Sequence, residues 1–246
     1  MPLLQLVDVS KKFGQVVVAE RISFEIETGD AVGIVGPNGA GKTSLFAMIS
    51  GDIRPDGGAI IFDGADLSHV QAAKRAKVGI GRTYQVPRPF EHMTVFENAL
   101  VAAQQGARLM GRRSHAQAYD ALERTGLADQ ANRPAGEMNL LHRKRLELAR
   151  ALASGPRIVL LDEIAGGLTD LEVNELTAIV RELKTEGIAV VWIEHVVRAL
   201  LSTVDRLVCL AAGSIVADGE PREVLASDAV RAVYMGGKII NEVLPS

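Results

Sequence analysis

Ala31-Val32-Gly33-Ile34-Val35-Gly36-Pro37-Asn38-Gly39-Ala40-Gly41-Lys42-Thr43-Ser44-Leu45-Phe46-Ala47-Met48-Ile49 is the stretch that decides the fold. Residues 31–35 form a short run apolar enough to be covered on both faces, which suits a central parallel strand. Gly36 to Gly41 is a glycine-rich turn, and Lys42 to Ile49 reads as the helix behind it. A buried strand running through a tight turn into a helix predicts an α/β architecture.

Strand patterning also lies on either side of this stretch. Leu4, Leu6, Val7 and Val9 suggest one strand, and Ile22, Phe24 and Ile26 alternate cleanly as a second. Gly58 to Gly64 looks like a further strand bounded by turns. From about Pro87 to Ser154 the character changes: Ala, Leu, Arg and Glu dominate at helical spacing and strong strand signals are absent. Strand signals return at Ile158–Leu161, Ala189–Ile193 and Arg206–Leu210. Between the first two, Leu171 to Glu186 reads as a helix, with Thr169 and Glu172 at capping-box spacing and Gly187 placed to end it. The expectation is one domain over residues 1–246. Residues 1–86 and 156–246 make an α/β core with a mostly parallel sheet and an N-terminal antiparallel β portion, and residues 87–155 form an inserted helical lobe.

Composition narrows the function classes. The 246 residues are 48% hydrophobic and 23% charged, an ordinary globular balance. With 27 basic and 30 acidic residues the net charge is −3, which offers no electrostatic footprint for nucleic acid. A single cysteine, Cys209, excludes a disulfide scaffold and a multi-thiolate metal site. Its neighbours Leu207, Val208 and Leu210 make it a buried strand residue, and a reducing, cytosolic compartment fits. The start, Met1-Pro2-Leu3-Leu4-Gln5, lacks signal-peptide character, and no apolar run approaches the ~18 residues of a membrane span. His69, His92, His115 and His142 lack metal-ligand spacing, and Arg143-Lys144-Arg145 reads as a solvated helix face.

Gly36 to Thr43 fits G-x-x-x-x-G-K-[ST], the phosphate-binding P-loop pattern, in its strand–turn–helix context. Its glycines let the backbone wrap closely and aim N–H groups at phosphate oxygens in front of a helix N-terminus. Gly36, Asn38, Gly39, Ala40, Gly41, Lys42, Thr43 and Ser44 are the candidate nucleotide-binding residues. Lys42 brings a point charge to the β- and γ-phosphates, and the Thr43 hydroxyl is a Mg²⁺ ligand. In Ile158-Val159-Leu160-Leu161-Asp162-Glu163, two carboxylates follow an apolar strand, where parallel sheets gather their ligand sites. Asp162 is the candidate to hold Mg²⁺ through its water shell, and Glu163 to polarise the attacking water.

With these motifs, nearly the whole chain resembles the ATP-binding subunit of an ABC transporter. The resemblance implies that Gln85, in Arg82-Thr83-Tyr84-Gln85, senses Mg²⁺ and the γ-phosphate. It implies that His195, in Trp192-Ile193-Glu194-His195, contacts the γ-phosphate, and that Phe13 stacks on adenine. Read singly, Gln85 fits a plain loop residue, Phe13 turn packing and His195 a strand-end histidine. Met93 to Asn98, Arg145 to Leu152 and the tail Val230 to Gly236 look like the branched-chain amino acid branch, whose relatives also import urea, short amides or aromatic acids. The resemblance further implies ATP and Mg²⁺ as cofactors, closure onto a second ATP-binding subunit, and transmembrane permease subunits. An external solute-binding protein would act indirectly, and the chain would sit at the cytoplasmic face of the cell membrane.

The signature loop of that family, usually Leu-Ser-Gly-Gly-Gln, aligns with Met138-Asn139-Leu140-Leu141-His142. The resemblance directs Asn139, Leu140, Leu141 and His142 at the nucleotide of the opposite subunit. Asn139 can still cap a helix, but two leucines add bulk where close backbone approach is expected. Ile164 stands where proline is usual, and Thr169 where an aspartate bridges subunits. The alternatives are a soluble regulatory ATPase of the same superfamily, or a nucleotide-binding module with weak hydrolysis.

Overall fold

The computed structural model describes residues 1–234. In chain order its elements are β1 (Leu4–Phe13), β2 (Val16–Ile26), β3 (Ala31–Val35), α1 (Lys42–Ser50), β4 (Gly57–Phe62), β5 (Ala65–Asp66), α2 (Ala72–Lys77) and β6 (Ile80–Arg82). Then follow α3 (Val95–Gln105), α4 (Arg112–Arg124), α5 (Leu140–Ala153), β7 (Ile158–Asp162), α6 (Asp170–Thr185) and β8 (Ala189–Ile193). The last are α7 (Val197–Leu201), β9 (Arg206–Ala211), β10 (Ser214–Gly219), α8 (Pro221–Ala226) and α9 (Asp228–Tyr234). Val233 and Tyr234 of the tail motif fall in α9; Met235 and Gly236 lie outside the described residues.

A six-stranded sheet runs β10-β9-β3-β8-β7-β6, all parallel except the edge pair β10–β9. A separate four-stranded antiparallel sheet runs β2-β1-β4-β5. Every residue of β3, β7 and β8 is buried, as their unbroken apolar runs require. Side-chain alternation divides the interior in two. Val32, Ile34, Ile158, Leu160, Val191 and Ile193 pack with α1 and the antiparallel sheet. Ala31, Val35, Val159, Leu161, Val190 and Trp192 pack with α3, α4, α5 and α6 on the opposite face.

Within residues 87–155 the described strand pairing is an isolated bridge between Thr94 and Pro134, and α3, α4 and α5 pack on one another. Thr94 and Glu97 close a capping box at the start of α3, as Thr169 and Glu172 do for α6. Among the described residues, no helix is long and apolar enough to cross a membrane. Cys209 is fully buried, and burial pushes its thiol up to about 11, so it stays protonated and unreactive.

The basic run 143–145 departs from the solvated face expected of it. Lys144 is buried, Arg143 donates to the Met138 and Gly136 carbonyls, and Arg145 pairs with Glu175. Packing of α5 under the sheet edge places these stems inside, and each head finds a specific acceptor.

Arg75 is a second internal cation that composition could not place. Fully buried on α2, it donates to the carbonyls of Met48 (2.7 Å) and Ile49 (2.9 Å) at the end of α1, and to those of Val70 and Leu67. It therefore caps the helix behind the glycine turn with a positive charge, where the macrodipole is negative. Arg75→Met would leave several buried carbonyls unpaired, and a loss of about 3 kcal/mol in urea unfolding is expected. A change no larger than a surface substitution would remove this role.

Candidate functional site

The glycine turn is held by its neighbours. Gly36 and Gly41 have φ of 153° and 103°, and a Cβ on either would lie 2.2 Å from the Leu210 carbonyl oxygen or 2.0 Å from that of Val18. Both positions therefore demand glycine, for conformation and for space. Lys42, at the start of α1, folds its ammonium back onto the Gly36 (2.7 Å) and Pro37 (3.0 Å) carbonyls. Burial lowers its pKa, while Glu163 and Asp162 oppose the shift.

An open cleft of about 700 Å³ lies in front of this turn. Asn38, Gly39, Ala40, Gly41, Lys42, Thr43 and Ser44 line one side, and Gln85, Glu163 and His195 the other. Phe13 is not among the lining residues. It ends β1 beside Val16, half exposed, with the Lys11 ammonium 5.3 Å from its ring. Val16 and Val18 line the cleft instead.

Glu163 sits at the centre of the polar wall. One carboxylate oxygen accepts from Gln85 Nε2 at 2.5 Å, and the other lies 2.8 Å from His195 Nε2. Three residues distant in sequence thus converge because β6, β7 and β8 are parallel neighbours ending at the same edge.

Asp162 is buried one residue earlier. Its Oδ2 lies 3.3 Å from Arg82 Nη2, while its Oδ1 is buried with no partner among the described residues. Arg82 also donates to Ser50 (2.9 Å), the last residue of α1, and to Asp52 (2.8 Å) just past it. Burial raises the Asp162 pKa above the usual carboxylate value, and the Arg82 guanidinium pulls it back. An unpaired carboxylate oxygen on Asp162, whose charge acts on Lys42 at the start of α1, is the kind of donor a hydrated Mg²⁺ takes. The residues fit the ion.

The signature segment starts α5. The Asn139 carboxamide accepts from the His142 N–H (2.9 Å) as the helix cap, Leu140 is exposed, and His142 Nε2 lies 3.2 Å from Gln130 Nε2. The segment lies outside the cleft lining. Two residues of the site that sequence reasoning missed are Lys144, whose ammonium is 3.1 Å from the Glu163 carbonyl, and Glu194, a buried carboxylate beside His195. Glu194 was legible only as a charge directly after an apolar strand.

The family model described as ABC transporter matches residues 19–166. The chain belongs to the ABC transporter family. It is an ATPase cassette of that family. The ATPase is 34% identical over 250 residues to the high-affinity branched-chain amino acid transport ATP-binding protein BraF of Pseudomonas aeruginosa, covering 96% of this chain and 98% of the relative. It is 32% identical to the lipopolysaccharide export system ATP-binding protein LptB of Haemophilus influenzae, covering 96% and 98%. Among solved structures, the ADP conformation of an ATP-binding cassette of an ABC transporter superposes with TM-score 0.86 at 30% identity, covering 96% and 100%.

Arg82 gives the ATPase a pH signature. A buried carboxylate with a raised folded pKa binds more protons folded than unfolded, so its cost is present above that pKa and relieved as pH falls through it. Arg82→Met enlarges that cost. The variant should unfold about 3 kcal/mol more easily at neutral pH without nucleotide, and the gap should narrow at mildly acidic pH. A gap independent of pH in urea titrations would contradict the pairing with Asp162.

Proposed function

We propose that this ABC ATPase hydrolyses MgATP to drive uptake of a small solute, a branched-chain or other hydrophobic amino acid, through separate membrane-spanning subunits. The observation that carries hydrolysis is the Glu163 carboxylate held between Gln85 and His195 across the cleft from Lys42. Full-length similarity to BraF supports the solute class.

In this reading the Gly36–Ser44 backbone and Lys42 bind the triphosphate. Phe13 stacks on adenine from the rim, and Thr43, Gln85 and Asp162 hold Mg²⁺, the last through water. The ion supplies neutralisation of charge developing on the transferred phosphoryl group. Glu163 orients and deprotonates the attacking water, and Gln85 and His195 fix the carboxylate and face the γ-phosphate. Residues 87–155 act as a lobe that transmits closure, with Val86–Asn98 receiving the permease. A second ATP-binding subunit, transmembrane permease subunits and, indirectly, an external solute-binding protein are the partners, at the cytoplasmic face of the membrane.

Asn139, Leu140, Leu141 and His142 contribute weakly to the nucleotide of the facing subunit, because the Asn139 side chain already occupies a helix-end N–H. If that subunit is a different chain, the two composite sites turn over at different rates. Single-turnover rates of Glu163→Gln here and of the matching change in the facing subunit should differ, and equal losses would refute the asymmetry.

Glu163→Gln should lower kcat by about 10²–10⁴ while MgATP still binds, and Lys42→Ala should abolish binding in calorimetry. Retained turnover in Glu163→Gln would sink the mechanism. Arg88→Glu and Glu91→Lys should uncouple transport in vesicles and leave basal ATPase intact. Loss of ATP binding would show the surface is misassigned. Co-purification with lipopolysaccharide-export membrane subunits would replace uptake with the export reading that similarity to LptB supports.

A further inference from the structure

Glu194 is 2% exposed, yet among the described residues its carboxylate carries no direct ion pair. It spends its oxygens on main-chain N–H groups of two separate loops. One oxygen accepts from Ala165 at 2.5 Å, two residues past Glu163. The other accepts from His195 at 3.0 Å and Val196 at 3.4 Å. Ala165 and its neighbour Ile164 are themselves buried, so water cannot stand in for the carboxylate.

Lys144 is a cation whose charge acts on this group. Val190 and Trp192 of β8 pack on the α5 side of the sheet, and Glu194 continues that alternation. Lys144, buried on α5, donates to the Glu163 carbonyl at 3.1 Å. The Glu163 N–H is held by the Ile193 carbonyl at 2.9 Å, and its φ is 49°, a left-handed conformation that a glutamate adopts only when its surroundings impose it. Burial lowers the Lys144 pKa and raises that of Glu194, and each charge opposes the shift of the other.

We propose that Glu194 and Lys144 are a positioning pair that locks the strained Glu163 peptide against the His195 loop and ties that geometry to α5, the helix carrying residues 139–142. Neither touches the cleft, and both act through Glu163 and His195. The pair makes a shift of α5 felt at the Glu163 carboxylate. This inference rests on the ATPase reading above.

The test uses the full chain with Glu194→Gln, Lys144→Met, Lys144→Arg and the Glu194→Gln/Lys144→Met double variant. Glutamine keeps the shape but offers one acceptor oxygen, so one of the two loops loses its tie. Glu194→Gln and Lys144→Met should each lower kcat at least ten-fold with KM for MgATP within two-fold of wild type. Lys144→Arg should recover most of the loss, and the double variant should be no worse than the poorer single. Hydrogen exchange of the Ile164–Leu168 amides should quicken at least ten-fold in both singles, with β3 and α1 unchanged. This readout needs no turnover, so an inactive wild-type chain would remove the ATPase reading while the placement stayed testable. Unchanged exchange at Ile164–Leu168, exchange quickened throughout the fold, or Lys144→Arg as impaired as Lys144→Met would each overturn the pair.

Discussion

Parallel pairing of β3, β8 and β7 aligns Ile34, Ile193 and Asp162 across the sheet. One residue farther along, the same three chains carry Val35, Glu194 and Glu163, and one more brings Gly36 and His195. This register assembles the site. A slip of a single residue would turn every side chain of a strand to the other face. It would bury Glu163 among the apolar groups and break the pairing of Asp162 with Arg82. Because each of these strands is covered on both faces, hydrophobic burial alone would tolerate a slip, and the charged groups at the strand ends set the register.

The register has an electrostatic cost, since it brings several charges out of water at one edge. Each is offset locally. Lys42 lies on loop carbonyls, Asp162 faces Arg82, Glu194 gathers main-chain donors with Lys144 nearby, and Arg75 neutralises the end of α1. Such groups add little net stability over apolar replacements, but removing one partner strands a charge and is costly. Their effect is to fix geometry. The Glu163 carboxylate has one position relative to Gln85 and His195 because the backbone beneath it is held at both N–H and carbonyl.

Helix α5 joins two regions that a linear reading treats separately. Its first turn is capped by Asn139 within the signature segment, and its second turn delivers Lys144 to the loop after β7. The substitutions at 139–142 change the outward face of this helix and leave the inward contacts whole. Under the proposed function, that division would alter what the ATPase presents to a facing subunit and leave its own nucleotide cleft untouched.

Much of this was legible in the chain because local physics wrote it there. Unbroken apolar runs marked β3, β7, β8 and β9, Thr169 and Glu172 marked the start of α6, and the glycine pattern of 36–43 marked a tight turn before α1 that shares a cleft with Glu163. Short elements such as β6 and α2 were invisible, since three to six residues carry no periodicity and owe their form to neighbours. The sequence alone determined which residue types could do phosphate chemistry, because that depends on charge, hydroxyls and freedom of the backbone. Only the tertiary structure decided that Val16 and Val18 rather than Phe13 line the cleft, that the run 143–145 turns inward, and that Glu194 joins two loops. Those are distances between residues remote in sequence, and only the pairing of strands and the packing of α5 beneath them set such distances.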